Sequence, residues 1–241
     1  MENTQMEKAQ QVLVREKLKQ LRMKSLLDRQ SIDDVSSIST FKEFSHKSNM
    51  GYRAGDSSKV YLIVSGIVSV KVSNEKGRNV RCFLLGRDDF FPVLMFSAND
   101  TSNVLFEIST CSKVEVLVIP AEEIKRLAKR NKTIHKLYMQ MRDELIAERT
   151  NHAIDVSAPQ MKERVIEELL FIGKKFGETC PEGVRIKNHW ITREILGYVV
   201  GTTPKTVSAT FSRLEKDSLV TLSRHVWILK PIFFEKYKYL G

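Results

Sequence analysis

Lys205, Ser208, Ala209 and Ser212 lie in the stretch GTTPKTVSATFSRLEKDSLV, residues 201–220. They are an ammonium group, two hydroxyls and a methyl, and no carboxylate precedes Glu215 in that stretch. Such a set lacks the base and nucleophile that catalysis needs. It can donate hydrogen bonds to an anion and present a shallow contact surface. On a helical wheel Val207, Phe211 and Leu214 share one face, which predicts a buried side. Lys205, Ala209, Ser212 and Lys216 share the opposite face, flanked by Ser208 and Arg213.

The flanking residues predict how that helix is held. Thr203 is an N-cap and Pro204 takes the first helical position, where its missing N–H costs nothing. Gly201 turns the chain out of a preceding helix over 193–200, capped by Thr192, with Ile195, Val199 and Val200 on its apolar side. Gly197 is the small residue where the two helices cross. The strand pair LVTLSRHVWIL, turning near Ser223, Arg224 and His225, reads as a wing. A helix–turn–helix of this kind lays its second helix in the DNA major groove; the plain alternative is an αα-hairpin.

Composition agrees with a polyanionic partner. The chain has 241 residues, a formal net charge of +10 and a pI near 9.5. Basic balance of this size favours nucleic acid or an anionic membrane surface. The lysines and arginines are spread through folded-looking segments and not gathered in one amphipathic tail, which argues against the membrane. No apolar run spans a bilayer and the polar N-terminus is no secretory signal, so a cytoplasmic protein is expected. Cys82, Cys111 and Cys180 form no metal-ligand spacing. His46, His135, His152, His189 and His225 are scattered, and no metalloprotease, P-loop or paired-acid motif occurs, so no enzyme is expected.

The remainder predicts an α+β chain. Residues 5–30 read as one helix, with Val12, Leu13, Leu18, Leu21 and Leu26 as its apolar stripe, and residues 31–58 as mixed, hydroxyl-rich chain ending in a turn at 54–57. Short strands follow over 59–120, broken at Gly66, at the hairpin loop 74–79 and at Arg87–Asp89, which suggests a small antiparallel sandwich or roll. A helix opens after Pro120. A longer one, 133–156, carries Ile134, Tyr138, Met141 and Leu145 at heptad-like spacing. That seam suits a two-fold dimer or packing on the helix's own domain. Ser157-Ala158-Pro159 marks a boundary, followed by a helix over 160–176, a turn at 177–183 and a strand VRIKN. The domains are therefore 1–132, 133–158 for the long helix and hinge, and 159–241.

Two stretches carry a family resemblance. AGDSSKVYLIVSGIVSVKVSNEKGRNVRCFLLGRDDFF (54–91) resembles the cyclic-nucleotide-binding β-roll of the Crp/Fnr superfamily of bacterial transcription regulators. ITREILGYVVGTTPKTVSATFSRLEKDSLV resembles its winged helix-turn-helix, and FGETCPEGVRIKNHWITREILGY is similar to the PrfA-like branch of Gram-positive bacteria. The resemblance implies an N-terminal β-roll, a dimerisation helix at 133–156 with Ile134, Tyr138, Met141 and Leu145 at the interface, and a homodimer on a two-fold promoter site, with RNA polymerase as a partner. It implies that Thr192, Arg193, Thr203 and Thr206 hold the DNA backbone from the helices and Arg224 and His225 from the wing.

The departures shape the expectation. Cyclic-AMP-binding members hold the ribose with a Gly-Glu pair and the phosphate with an Arg-Ser pair, where this chain has Pro92-Val93 and Asn103-Val104. A buried phosphate without its arginine is costly, so cyclic AMP is not expected. The iron–sulfur cysteine cluster is missing, and neither that cluster nor haem nor any other cofactor is expected. Phe90, Phe91, Leu94, Met95 and Phe96 make the pocket region apolar, which reads as core or as a site for a non-nucleotide effector or peptide that gates DNA binding. Many members read guanine with an arginine on the recognition helix. Here Pro204, Lys205 and Ala209 stand at the matching places. Lys205 can still donate to guanine, Ala209 can meet a thymine methyl, and Ser208, Ser212 and Arg213 surround them.

Overall fold

A computed structural model describes residues 2–22, 27–50, 58–74, 81–91, 104–155 and 160–240. The turn at 54–57, most of the 74–79 loop, Leu26, residues 92–96, Asn103 and the hinge 157–159 lie outside the described residues. In chain order the elements are α1 (Glu2–Gln20), α2 (Arg29–Ile38), β1 (Thr40–Phe44), β2 (Lys59–Ser65), β3 (Val68–Asn74), β4 (Arg81–Leu85), β5 (Phe90–Phe91), β6 (Val104–Thr110) and β7 (Val114–Pro120). They continue as α3 (Ala121–Arg130), α4 (Lys132–Asp155), α5 (Met161–Phe176), β8 (Glu178–Cys180), β9 (Gly183–Lys187), α6 (Arg193–Val200), α7 (Pro204–Lys216), β10 (Val220–Leu222), β11 (Val226–Leu229) and α8 (Pro231–Lys236). The chain divides into two units, Met1–Val68 with Leu85–Ala147, and Ser69–Leu84 with Glu148–Gly241. The division cuts α4 after Ala147 and groups the β3–β4 hairpin with the C-terminal residues.

In the first unit an antiparallel sheet runs in the order β1-β7-β2-β5. Its inner strand β7 is apolar except at Glu115, with Val114, Val116 and Leu117 fully buried. Helix α1 sends Val14 and Leu18 into the core, Leu21 follows just after its end, and Val12 stays exposed. The buried stripe therefore runs through Val14 and not through the expected Val12. Lys17 Nζ meets Glu115 Oε1 at 2.8 Å, and Ser65 Oγ donates to the other oxygen at 3.0 Å. Burial alone would raise the Glu115 carboxyl, but the bonds from Lys17 and Ser65, with the nearby lysine charges, bring it below the usual carboxylate value.

The expected single helix over 5–30 is two helices. Asp28 Oδ1 accepts from Ser31 N at 2.7 Å and caps α2 afresh. The hydroxyl-rich segment folds as helix, and its hydroxyls turn back onto carbonyls of the same helix. Ser36 donates to Ile32 O, Ser37 to Asp34 O at 2.7 Å and Ser39 to Val35 O at 2.6 Å. Strand β1, in the same mixed stretch, then pairs with β7.

The second unit holds a four-stranded antiparallel sheet of order β10-β11-β9-β8 beside α5, α6 and α7. The turn expected at 177–183 contains a strand, since β8 pairs with β9 down to Cys180 opposite Gly183. Phe211 of α7 meets Trp227 of β11 edge-on, with ring centroids 4.6 Å apart at 76°. Helix α8 closes the fold by burying Phe233 and was not anticipated. The three cysteines are thiols, with Cys82 and Cys111 buried.

Candidate nucleic-acid interface

Helix α6 has the predicted bounds and α7 the predicted start, and local hydrogen bonds explain why. Thr192 Oγ1 accepts from Ile195 N at 3.2 Å and starts α6. Gly201 ends it with φ 72°, in the left-handed region where an L side chain is strained. Gly197 is buried at the crossing, and a Cβ there would sit 2.9 Å from Thr202 O. Thr203 Oγ1 then accepts from Thr206 N at 3.2 Å and caps α7, with Pro204 in its first turn.

Helix α7 has one buried side and one open side. Val207, Phe211 and Leu214 are at most 1% exposed, and Thr210 completes that face by donating to Thr206 O at 3.1 Å. Lys205, Ala209, Ser212, Arg213 and Lys216 are exposed, with Thr206 and Ser208 half-buried beside them. The helix ends on Ser218, whose φ is 59°, with Ser218 N bonded to Glu215 O and Leu219 N to Leu214 O, both at 2.9 Å. That is a Schellman ending with serine where glycine is usual.

The predicted backbone-holding groups occupy the helix starts. At a helix start the backbone N–H groups and the macrodipole favour an anion. Thr192 and Thr203 use their oxygens as caps, which leaves the Thr192 hydroxyl proton free to donate. Thr203 and Thr206 hydroxyls lie 3.1 Å apart, so one donates to the other and the second proton can face outward. The Arg193 guanidinium rests over the Phe211 ring at 5.6 Å, pinned by a cation–π contact and still exposed. Arg224 and His225 are exposed at the wing tip between β10 and β11.

Two residues escaped the sequence reading. Glu215 Oε1 accepts from Leu222 N at 3.1 Å and ties the end of α7 to β10. Asn188 binds the wing tip through its side chain and its backbone. Neither carries a sequence signal, because each acts on a partner in a different element.

The expected dimer seam behaves differently from the helix–turn–helix. Ile134 and Tyr138 are 3% and 9% exposed within the first unit. Together with Met141 they line an apolar cavity of about 60 Å³ whose other walls include Leu18, Leu62 and Phe90. Burial pushes the Tyr138 phenol up to about 12. At Ile134 and Tyr138 the heptad-like spacing therefore serves packing within the chain. Among the described side chains of α4, Ile146 is a large apolar residue left exposed, and the Leu145 side chain lies outside the described set. The cavity's described lining is apolar apart from the Tyr138 phenol. Phe90 belongs to it and Phe91 is buried, while Leu94, Met95 and Phe96 fall outside the described residues. Among the described residues no group of His, Cys, Asp and Glu is placed to hold a metal, and no helix is long and apolar enough to cross a membrane.

Comparison with known proteins covers both units. Residues 46–131 match the cyclic nucleotide-binding domain family. The chain is 20% identical over 190 residues to the global nitrogen regulator of Nostoc sp., covering 78% of this chain and 85% of that protein. It is 26% identical over 186 residues to the cAMP-activated global transcriptional regulator CRP of Salmonella typhimurium, covering 74% and 84%. In fold it is similar to a CRP/FNR-family transcriptional regulator of Thermus thermophilus, with a TM-score of 0.64 at 17% identity, over 83% of this chain and 97% of that one. These similarities support no particular branch, the PrfA-like one included.

Proposed function

We propose that this chain, a member of the CRP/FNR superfamily, is a sequence-specific DNA-binding regulator of transcription that grips a two-fold promoter site as a homodimer. The observation that carries the reading is the two-sided helix α7. It buries Val207, Phe211 and Leu214, and it opens Lys205, Ala209 and Ser212 on a face with no acid before Glu215. Its N-terminal end enters the major groove. Lys205 donates to a guanine edge, Ala209 meets a thymine methyl, and Ser208 and Ser212 flank them. Thr192, Arg193, Thr203 and Thr206 hold phosphates from the helix starts, and Arg224 and His225 do so from the wing, which makes binding salt-dependent. With no arginine fork on the helix, the preferred site is rich in A·T pairs. The protein works in the cytoplasm with RNA polymerase and catalyses no reaction.

Cyclic AMP is not the signal, because Pro92-Val93 and Asn103-Val104 supply neither the ribose-holding carboxylate nor the phosphate-holding arginine. A second reading, gating by a small non-nucleotide effector, draws on the apolar cavity. Its wall includes Ile134, Tyr138 and Met141 of α4, so an apolar molecule there would press on the long helix. Gel shift with effector-free protein separates the two readings, since a gated protein stays unbound.

Selection of bound DNA from a random pool at fixed salt tests the main reading. The expected outcome is a two-fold site with half-sites about 34 Å apart. Recovery of no two-fold site would sink the dimer. Lys205→Ala should weaken the selected site by about 1–3 kcal/mol and random DNA by less. Equal loss on both removes Lys205 from base reading.

A further inference from the structure

The wing tip is a two-residue hairpin loop, Arg224 and His225, between Ser223 and Val226. Loops of this length usually take primed turns, which need positive φ and suit the twist of the strands. Arg224 and His225 both keep negative φ. A turn of that kind does not match the strands by itself, so other bonds must hold it. Part of the support is local. Ser223 Oγ donates to Val226 O at 3.0 Å and accepts from Val226 N at 3.2 Å.

The rest comes from a single residue outside the hairpin. Asn188 Nδ2 donates to Ser223 O at 3.0 Å and to Arg224 O at 3.2 Å, and Asn188 N donates to His225 O at 3.1 Å. Three successive carbonyls of the tip thus accept from Asn188. Both side-chain partners are acceptors, which fixes the amide with its NH₂ toward the wing. Asn188 follows β9, the strand that pairs with β11, so the clasp is anchored on the sheet.

We infer that Asn188 is a positioning residue for DNA binding. It locks the wing tip in advance so that Arg224 and His225 meet the phosphate backbone without an ordering cost at the moment of binding. This rests on the assignment of Arg224 and His225 as backbone contacts. Pre-ordering of a charged loop raises affinity by lowering what must be immobilised on association.

The test uses the full chain, random-sequence duplex DNA at several salt concentrations, and hydrogen exchange of the free protein. In Asn188→Ala, exchange of the 220–229 segment should quicken about tenfold while the rest of the unit is unchanged. In the wild-type background Arg224→Gln should weaken duplex binding and lower the salt slope by about 1. In the Asn188→Ala background the same substitution should change binding less than about twofold, because a loose tip has already lost the contact. Equal losses in both backgrounds, or unchanged exchange, overturn the role of Asn188. If Arg224→Gln is silent in the wild type, the wing contact itself fails and the role falls with it, whatever exchange shows about the clasp. Should Asn188→Ala melt early, Asn188→Ser keeps a short polar side chain that cannot span both carbonyls and allows the same comparison.

Discussion

The α6–α7 motif and the cavity wall of the first unit are both apolar assemblies under helices, yet they are built differently. In α6–α7 each decision is taken within a turn or so of chain. Thr192 caps toward Ile195, Thr203 toward Thr206, Thr202 N returns to Gly197 O, and Leu219 N returns to Leu214 O. In the first unit, Leu18, Leu62, Phe90 and Ile134 come from separate helices and strands to line one cavity. A half-buried ion pair there, Lys17 with Glu115, joins residues 98 apart in sequence. Local wiring makes a rigid surface from few residues, whereas distant wiring makes every wall residue depend on the others.

The largest effects should appear in the distant wiring. Leu62→Ala and Ile134→Ala should each destabilise the first unit by about 3 kcal/mol, and the double variant should depart from their sum by at least about 0.5 kcal/mol because both open the same cavity. Both tryptophans, Trp190 and Trp227, lie in the second unit, so their fluorescence cannot follow this loss; amide exchange of β2 and β7 can. Strict additivity would break the comparison. In the local wiring, Thr192→Ala and Thr203→Ala should cost about 1 kcal/mol each and add within about 0.5 kcal/mol, read by urea unfolding with tryptophan fluorescence. Their caps share no hydrogen-bond partner.

Lys17→Met sharpens the contrast through pH. The Glu115 carboxyl is lowered in the folded chain, so its contribution is present above the usual carboxylate value near 4.5 and is lost as pH falls through the folded value. The substitution should cost about 1 kcal/mol at pH 7 and progressively less as pH falls below the usual carboxylate value, read by amide exchange. A cost independent of pH would mean the lysine acts only through its contact with the Phe41 ring, whose centroid lies 5.0 Å from Nζ. The smallest effect is a gain. Ser218→Gly should stabilise the second unit by about 0.5–1 kcal/mol, since glycine carries no penalty at that left-handed ending. A loss in urea unfolding would show that the serine side chain has a role of its own.

Legibility followed the same division. The bounds of α6, the start of α7, the cap residues, the Gly201 turn and the buried face of α7 could be read directly, because each depends on neighbours in the chain. The break between α1 and α2 was hidden. Its signal, Asp28 three residues before Ser31, is a weak cap pattern inside residues that otherwise favour one helix. Strand β8 was hidden because a three-residue strand has no periodicity of its own and exists only by pairing with β9. The spacing of Ile134, Tyr138 and Met141 was visible, but whether it faced a partner or the chain's own core was not.

The sequence by itself determined the helix–turn–helix and its chemistry: a cation, hydroxyls and a methyl on one face, with no carboxylate among them. Those features follow from side-chain type and helical period, which are properties of a short segment. Only the tertiary structure decided that Ile134 and Tyr138 close a cavity, that Glu215 ties α7 to β10, and that Asn188 holds the wing tip. Each of those depends on which distant backbone comes within hydrogen-bond or van der Waals reach, a matter the folded chain settles as a whole.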